Sequence, residues 1–384
     1  MQLSSDDLPM FFDAHHAALA ARLKAAVGEL ERAERVPGEE GARDRAAAAA
    51  LGRLGLFELV VPVDRPGLDT RAVCLAREML GYASARADSI FAVQGLGTHA
   101  IALAGTEAQR AQLPAFARGE RIAAFALTEP EAGSDVAAIA TSAAEVPGGD
   151  GGFRLDGEKL FISNLGIADH AVVFASTEPG KRGAGLSAFW VPLDAPGVRV
   201  EPMTAIAAHP IGRMTLAGVE LPAAARIGAA GQGMKLALQT LDAFRVSVGA
   251  AAVGMARRAL DEAIGFVGRR VQFGKPLAEQ PLVQAHLADM AVDVDAARLL
   301  VLRAAHRKDT TSDRVTTEVS IAKLGATEAA QRVIDRAVQL FGGRGVMAGA
   351  VVEHLYRAIR PLRIYEGTSE IQRTIIGRAL TRPA

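Results

Sequence analysis

From Leu8 to about Gly119 the apolar positions recur at steps of three and four, which predicts helices near residues 11–31, 43–56, 70–83 and 89–104. Gly38, Pro62, Pro66 and Gly67 punctuate them. Near Arg121 the texture changes to short runs, "AAFALT", "HAVVFAST", "SAFWVP" and "VRVEP", separated by Gly, Pro, Asn and Asp clusters. Val198, Arg199, Val200 and Glu201 alternate strictly, the period of a half-buried strand. After about Gly231 long helical patterns return: Leu287, Met290, Val294, Ala297 and Val301 form an apolar stripe, with Asp289, Asp293, Asp295 and Arg298 between them. We expect that stripe to be core rather than interface. A further helix over residues 317–341 stops at Gly342 and Gly343.

The resulting plan is an α+β chain, mostly α. A helical domain over 1–120 precedes an antiparallel β domain over 121–229, and a helical bundle follows over 230–384. Composition supports it, since the chain is Ala-rich and only 5% aromatic, with one Trp and three Tyr. Equal numbers of basic and acidic residues, 43 of each, leave zero formal charge and argue against nucleic acid as a partner. Cys74 is the sole cysteine, so no intrachain disulfide forms and a reducing compartment is expected. No metal site is expected: the eight His are dispersed apart from His15 and His16, and adjacent helical residues do not face one site. The N-terminus, with Ser4, Ser5, Asp6 and Asp7, does not resemble a secretory signal, and the uncharged stretches are too short or too broken to predict a membrane span. The expectation is a cytoplasmic protein.

Four segments carry candidate chemistry. Gly95, Gly97 and Ala100 in "VQGLGTHA" have dinucleotide-fingerprint spacing, but the flanks read as helix, so a Rossmann site is not expected. "GGRG" at 342–345 lacks the Lys-Ser/Thr ending of a phosphate loop. "FALTEPEAGSD" at 125–135 could be a surface turn or a loop presenting N–H groups and hydroxyls to a ligand. "RIYEGTSEIQR" at 363–373 places Glu366 ahead of Gly367, Thr368 and Ser369; helix entry is the plainer reading, and a base beside Arg360 and Arg363 the sharper one.

These segments resemble, in order, motifs of the acyl-CoA dehydrogenase family: "FALTEPEAGSD", "GEKLFISN" at 157–164, "LDAFR" at 241–245, "RRVQFGKPL" at 269–277, "AVQLFGGRG" at 337–345 and "IYEGTSEIQR" at 364–373. The resemblance implies non-covalent FAD, oxidation of an acyl-CoA to its 2,3-enoyl-CoA, and electron transfer to an electron-transfer flavoprotein. It implies that Glu366 is the base taking the α-proton, and that its own backbone N–H helps to stabilise the enolate oxygen. Some relatives carry the base at the position of Phe244, which cannot ionise here.

By the same resemblance FAD is held by Phe125, Leu127, Thr128, Gly133, Ser134, Phe161 and Ser163, with Arg270, Gln272, Phe273, Gln339, Gly343, Thr368 and Glu370. Some of these would come from a neighbouring subunit, implying a homodimer or homotetramer. Ser134, Asp242, Arg245, Gly367 and Arg378 are the implied CoA contacts. Gly95 and Gly97 are expected to leave room beside the acyl chain, and Phe244 to remove some. Two departures stand out. Ala358 and Ile359 replace a usual Asp-Ala pair, and residues 205–221 lack the usual Gly-x-Arg-x-Ser-like run. Relatives acting as oxidases, as monooxygenases or on carrier-bound acyl groups, and a flavin-free scaffold, are the alternatives; Glu366 argues against the monooxygenases.

Overall fold

The computed structural model describes residues 5–63, 67–146 and 151–381, so Ser4 and Pro66 lie outside the described residues. In chain order the helices of the first third are α1 (Ala14–Glu34), α2 (Glu40–Arg53), α3 (Thr70–Ala83), α4 (Ala85–Ala104), α5 (Glu107–Arg110) and α6 (Leu113–Ala117). Strands follow: β1 (Ala123–Ala126), β2 (Ser142–Glu145), β3 (Phe153–Ser163), β4 (His170–Ser176), β5 (Leu186–Pro192), β6 (Val198–Pro202), β7 (Ile211–Leu221) and β8 (Arg226–Ile227). Then come α7 (Gly233–Arg269), the hairpin β9 (Val271–Gln272) and β10 (Lys275–Pro276), α8 (Pro281–Thr310), α9 (Thr316–Phe341), α10 (Val351–Ile359) and α11 (Ser369–Thr381).

Local chemistry moved several boundaries. Residues Pro9–Phe11 form a separate 3-10 turn led by Pro9, so α1 begins later than the pattern suggested. The α2 helix stops at Arg53, just before Gly55, whose φ of 64° belongs to the left-handed region. Ser84 caps α4 by accepting from the Ala87 N–H at 3.0 Å, and the helix starts four residues before the expected position. Asp69 caps α3 in the same way through the Ala72 N–H.

The chain divides into two compact units. One comprises residues 1–31, 69–88 and 245–384; the other comprises 32–68 and 89–244. In the first, α8 and α10 pack on α9, and α3 packs on α8. Met290, Val294, Ala297 and Val301 are buried, so the stripe on α8 is core, as expected. It meets α7 through Val248, Ala252 and Met255 and α9 through Ala330, Val333 and Ile334. By length and composition α7 could cross a bilayer, yet 72% of its most apolar window is buried within the chain.

The second unit holds a mixed sheet of order β6-β7-β3-β2-β4-β5-β8, with β1 paired to β4. Most pairings are antiparallel, but β1 runs parallel to β4 from Ala123↔His170 to Ala126↔Val173, and β2 meets β4 in parallel at Ser142↔Ser176. The expected antiparallel β domain is present, and the parallel pairings of β4 with β1 and β2 are its departure from a purely antiparallel sheet. Parallel neighbours need a crossover rather than a hairpin, and the β2–β3 segment provides it here. Residues 211–221 form a full strand despite their departure from the family pattern.

Candidate active site

In the first unit, α10 runs into a 3-10 turn and then the loop that carries Glu366. Glu366 has φ 54° and Gly367 φ 94°, two consecutive residues in the left-handed region. Their carbonyls are tied from three elements. Arg245 Nε on α7 donates to the Glu366 carbonyl at 3.1 Å, Lys323 Nζ on α9 donates to the Gly367 carbonyl at 2.8 Å, and Gln372 Nε2 on α11 donates to the latter at 3.0 Å. A Cβ on Gly367 would lie 2.5 Å from that same Gln372 nitrogen, which would have to move, and the φ of 94° favours glycine independently. Beyond the loop, Glu328 accepts from Arg363 Nε at 3.0 Å and Ser369 Oγ at 2.6 Å, anchoring the entry to α11.

Glu366 as a residue is half-buried. Its Oε2 is buried and makes no hydrogen bond, which is costly for a structural residue and suited to one awaiting a proton. Burial raises its pKa above the ordinary carboxylate range, against the lowering effect of Arg77, Arg245 and Lys323; Asp88 adds to the rise. Lys323 is itself pulled down to about 8, chiefly by desolvation. The cations that act on Glu366 are thus not those expected from sequence: Arg363 is paired with Glu328, and Arg360 is exposed. Ala358 and Ile359 are buried in the bundle core, so the loop is held without an Asp there.

In the second unit, β1 leads into the 127–135 loop. Leu127 is buried and Phe125 packs edge-on against Phe174 at 5.1 Å. Gly133 and Ser134 are exposed, and nothing lies within 4 Å of a Cβ placed on Gly133. Between Lys159 and Ile162 the β3–β7 register shifts, and Phe161 takes φ 58° with 57% of its surface exposed. A bulge thus turns an aromatic face outward, with Ser163 half-buried two residues on.

Beneath this rim is a pair that sequence reasoning missed. Lys159 is fully buried and donates to Glu129 at 2.7 Å and to the Phe174 carbonyl at 2.6 Å, while Glu129 accepts from the Ala140 and Thr141 N–H groups. Desolvation lowers Lys159 to about 8 even with Glu129 beside it. The signal was present only as two charges inside the quoted motifs, among other charged and polar residues.

Of the remaining expected residues, Gln272, Arg270 and Phe273 lie on an exposed segment, Phe273 with φ 53° and 95% exposure. Gln339 and Gly343 are exposed at the end of α9. Glu370 and Arg378 are exposed on α11, Thr368 is half-buried at its start, and Asp242 is half-buried on α7.

Two expectations are corrected. Gly95 does not leave room: a Cβ there would sit 2.5 Å from the Phe244 ring and 2.9 Å from Val60 Cβ, and one on Gly97 would meet Ala123 at 2.7 Å. These glycines admit close packing against Phe244 and β1. His15 and His16 do face one group, because Asp69 offers an oxygen to each, at 2.8 and 3.1 Å. Asp13 completes the cluster, with its N–H on His16 Nδ1 and its carboxylate on Arg71. Both His16 nitrogens are thereby committed within the chain.

The protein thus holds a buried carboxylate oxygen without a hydrogen bond on a left-handed, three-way anchored loop, and its sheet turns an aromatic face outward beside an open Gly-Ser loop. The chain belongs to the acyl-CoA dehydrogenase family: residues 5–120, 124–219 and 231–381 match that family's N-terminal, middle and C-terminal domains. It is 38% identical over 339 residues to the mitochondrial short-chain specific acyl-CoA dehydrogenase of Mus musculus, covering 86% of this chain and 81% of that one. Butyryl-CoA dehydrogenase from Megasphaera elsdenii superposes with a TM-score of 0.86 at 33% identity, over 95% and 98% of the two chains. A glutaryl-CoA dehydrogenase from Mycobacterium smegmatis in complex with FADH2 gives 0.86 at 28% identity, over 99% and 98%. The chain is therefore a flavoprotein oxidoreductase acting on the CH–CH bond of acyl-CoA.

Proposed function

We propose that this chain uses FAD to oxidise an acyl-CoA to its 2,3-enoyl-CoA and passes the electrons to an electron-transfer flavoprotein. The observation that carries the reading is Glu366: raised in proton affinity, with its Oε2 buried and without a partner. A thioester α-proton is weakly acidic, so a carboxylate stripped of water is the stronger acceptor. The three bonds to the Glu366 and Gly367 carbonyls keep that carboxylate aimed while it gains and loses a proton. The backbone N–H of Glu366 is the proposed donor to the developing enolate oxygen.

The residues of the sheet fit a flavin. Phe161 offers a ring face, and Thr128, Ser134 and Ser163 offer hydroxyls; Gly133 leaves the approach open. When bound, FAD supplies the acceptor for the β-hydrogen as hydride. Arg270, Gln272, Phe273, Gln339, Gly343, Thr368 and Glu370 are the proposed hold on its far half, some from a second copy. Asp242, Arg245, Gly367 and Arg378 are the proposed contacts to CoA.

Anaerobic addition of acyl-CoAs, short, medium, branched and cyclic, to the yellow protein should bleach the flavin with at least one of them. No bleaching with any chain would overturn the reading. Glu366→Gln should keep FAD and lose about 10² to 10⁴ in kcat, the span typical of a general base. Turnover close to that of the unaltered protein would move the base elsewhere. Oxygen uptake at the rate of substrate oxidation would mark an oxidase instead.

A further inference from the structure

The 127–135 loop and the Phe161 bulge come from different strands, and one buried ammonium joins them. The β1–β4 ladder ends at Ala126↔Val173. One residue further on, Lys159 Nζ reaches in from β3 and donates to the carbonyls of both strands' next residues, Leu127 at 3.3 Å and Phe174 at 2.6 Å. Its third hydrogen goes to Glu129 Oε1 at 2.7 Å. An ammonium has three donors and no acceptor, so all three are used. The backbone repeats the tie one residue along, where the Leu160 N–H donates to the Thr128 carbonyl at 2.9 Å. Phe161 follows directly.

Glu129 gathers the rest of the segment. Its Oε2 accepts from the Ala140 N–H at 2.6 Å and its Oε1 from the Thr141 N–H at 3.0 Å, so the carboxylate also holds the chain where it returns to β2. The Glu129 backbone pairs with Ala132 in both directions, its N–H donating at 3.0 Å and its carbonyl accepting at 3.2 Å. That closes the turn from which Gly133 and Ser134 emerge. Both charged side chains are buried.

Burying such a pair has a desolvation cost, and apolar side chains of similar volume would support the sheet as well or better. Apolar side chains cannot, however, bind two carbonyls and two N–H groups at set distances. We infer that Lys159 and Glu129 are positioning residues for FAD, fixing the spacing between Thr128 and Phe161 before the cofactor arrives. Their contribution to FAD affinity is then separate from their contribution to stability. The inference rests on this face of the sheet being the FAD site.

The test removes both charges at once from FAD-loaded protein. In Lys159→Met/Glu129→Leu neither charge is left buried alone, so a denaturant titration in excess FAD should show most of the stability lost in Lys159→Met restored. FAD affinity should not return with it. The fluorescence of flavin released on dilution should give a Kd raised about tenfold or more in the single and the double variant alike, because loops no longer held must be ordered on binding. The visible circular dichroism of the bound flavin, which reports how its ring is seated, should change in both. Phe161→Ala, at an exposed position, should weaken FAD binding and leave the denaturant midpoint in place.

A double variant that regains stability together with the original Kd and flavin dichroism reduces the pair to a support for the sheet and overturns the inference. If Lys159→Met does not fold, the double variant is compared with the unaltered protein under the same criteria. If neither folds, Glu129→Gln serves: it has nearly the same shape but cannot accept from Ala140, Thr141 and Lys159 together, and an unmoved Kd overturns the inference equally. A Kd raised by Phe161→Ala but not by the charge variants is failure of this inference alone. A Kd raised by none of them is failure of the functional reading of the sheet.

Discussion

The two candidate loops solve opposite problems. The 127–135 loop and the Phe161 bulge are open above, with Gly133, Ser134 and the Phe161 ring exposed, and are stiffened from below by the single buried pair Lys159–Glu129. The Glu366 loop buries Oε2 of its carboxylate and is held by its backbone carbonyls, through donors on α7, α9 and α11. In the proposed function the rim meets a large planar group, which requires free faces, and its support comes from charges placed beneath it. In the proposed role of base, Glu366 gains from burial: its Oε2 has no hydrogen-bond partner, and neighbouring cations temper the rise in its proton affinity.

The largest test of this contrast is Lys159→Met. It leaves Glu129 buried without its cation and should lower unfolding stability by about 3–5 kcal/mol, read by denaturant titration. Adding Glu129→Leu should recover a substantial part. If the single variant is as stable as the original, the rim is not stiffened from below. On the closed loop, Gly367→Ala puts a Cβ on the Gln372 amide at a positive φ and should cost about 1–3 kcal/mol, with a fall in kcat as the carbonyl anchors shift. Unchanged thermal stability and kcat would mean that the loop tolerates what its geometry forbids. The smallest effect is expected at the open rim: Ser134→Ala should change stability by less than about 0.5 kcal/mol while weakening retention of FAD on dilution. A stability loss above about 1 kcal/mol would show the rim to be packed rather than open.

The helical plan was legible because α3, α8 and α9 carry their apolar stripes at local spacing. The run at 70–83 coincides with α3 to the residue, since Asp69 and Ser84 cap signals flank it. The parallel pairing of β1 with β4 was not legible, because periodicity shows that a strand exists and not which distant strand it joins. Gly95 was misread for a related reason. A glycine in a helix signals a close approach without saying what approaches, and here the neighbour is Phe244, far along the chain. Glu366 was found through a motif, whereas its cations were not: Arg77 and Lys323 interrupt apolar stripes and look like solvated faces until the fold buries them. In the same way, Arg363 looked free to act on Glu366, but it pairs with Glu328.

The sole tryptophan, Trp190, lies on β5 stacked on His170 at 4.9 Å, with its indole N–H donating to Gln112. All three residues belong to the unit that contains the sheet. Intrinsic fluorescence excited at the red edge therefore reports on that unit alone, while helical circular dichroism is weighted towards the other. Followed together through a denaturant titration, the two signals ask directly whether the chain unfolds in one step or two. No label has to be attached, because the uneven placement of one indole already distinguishes the halves.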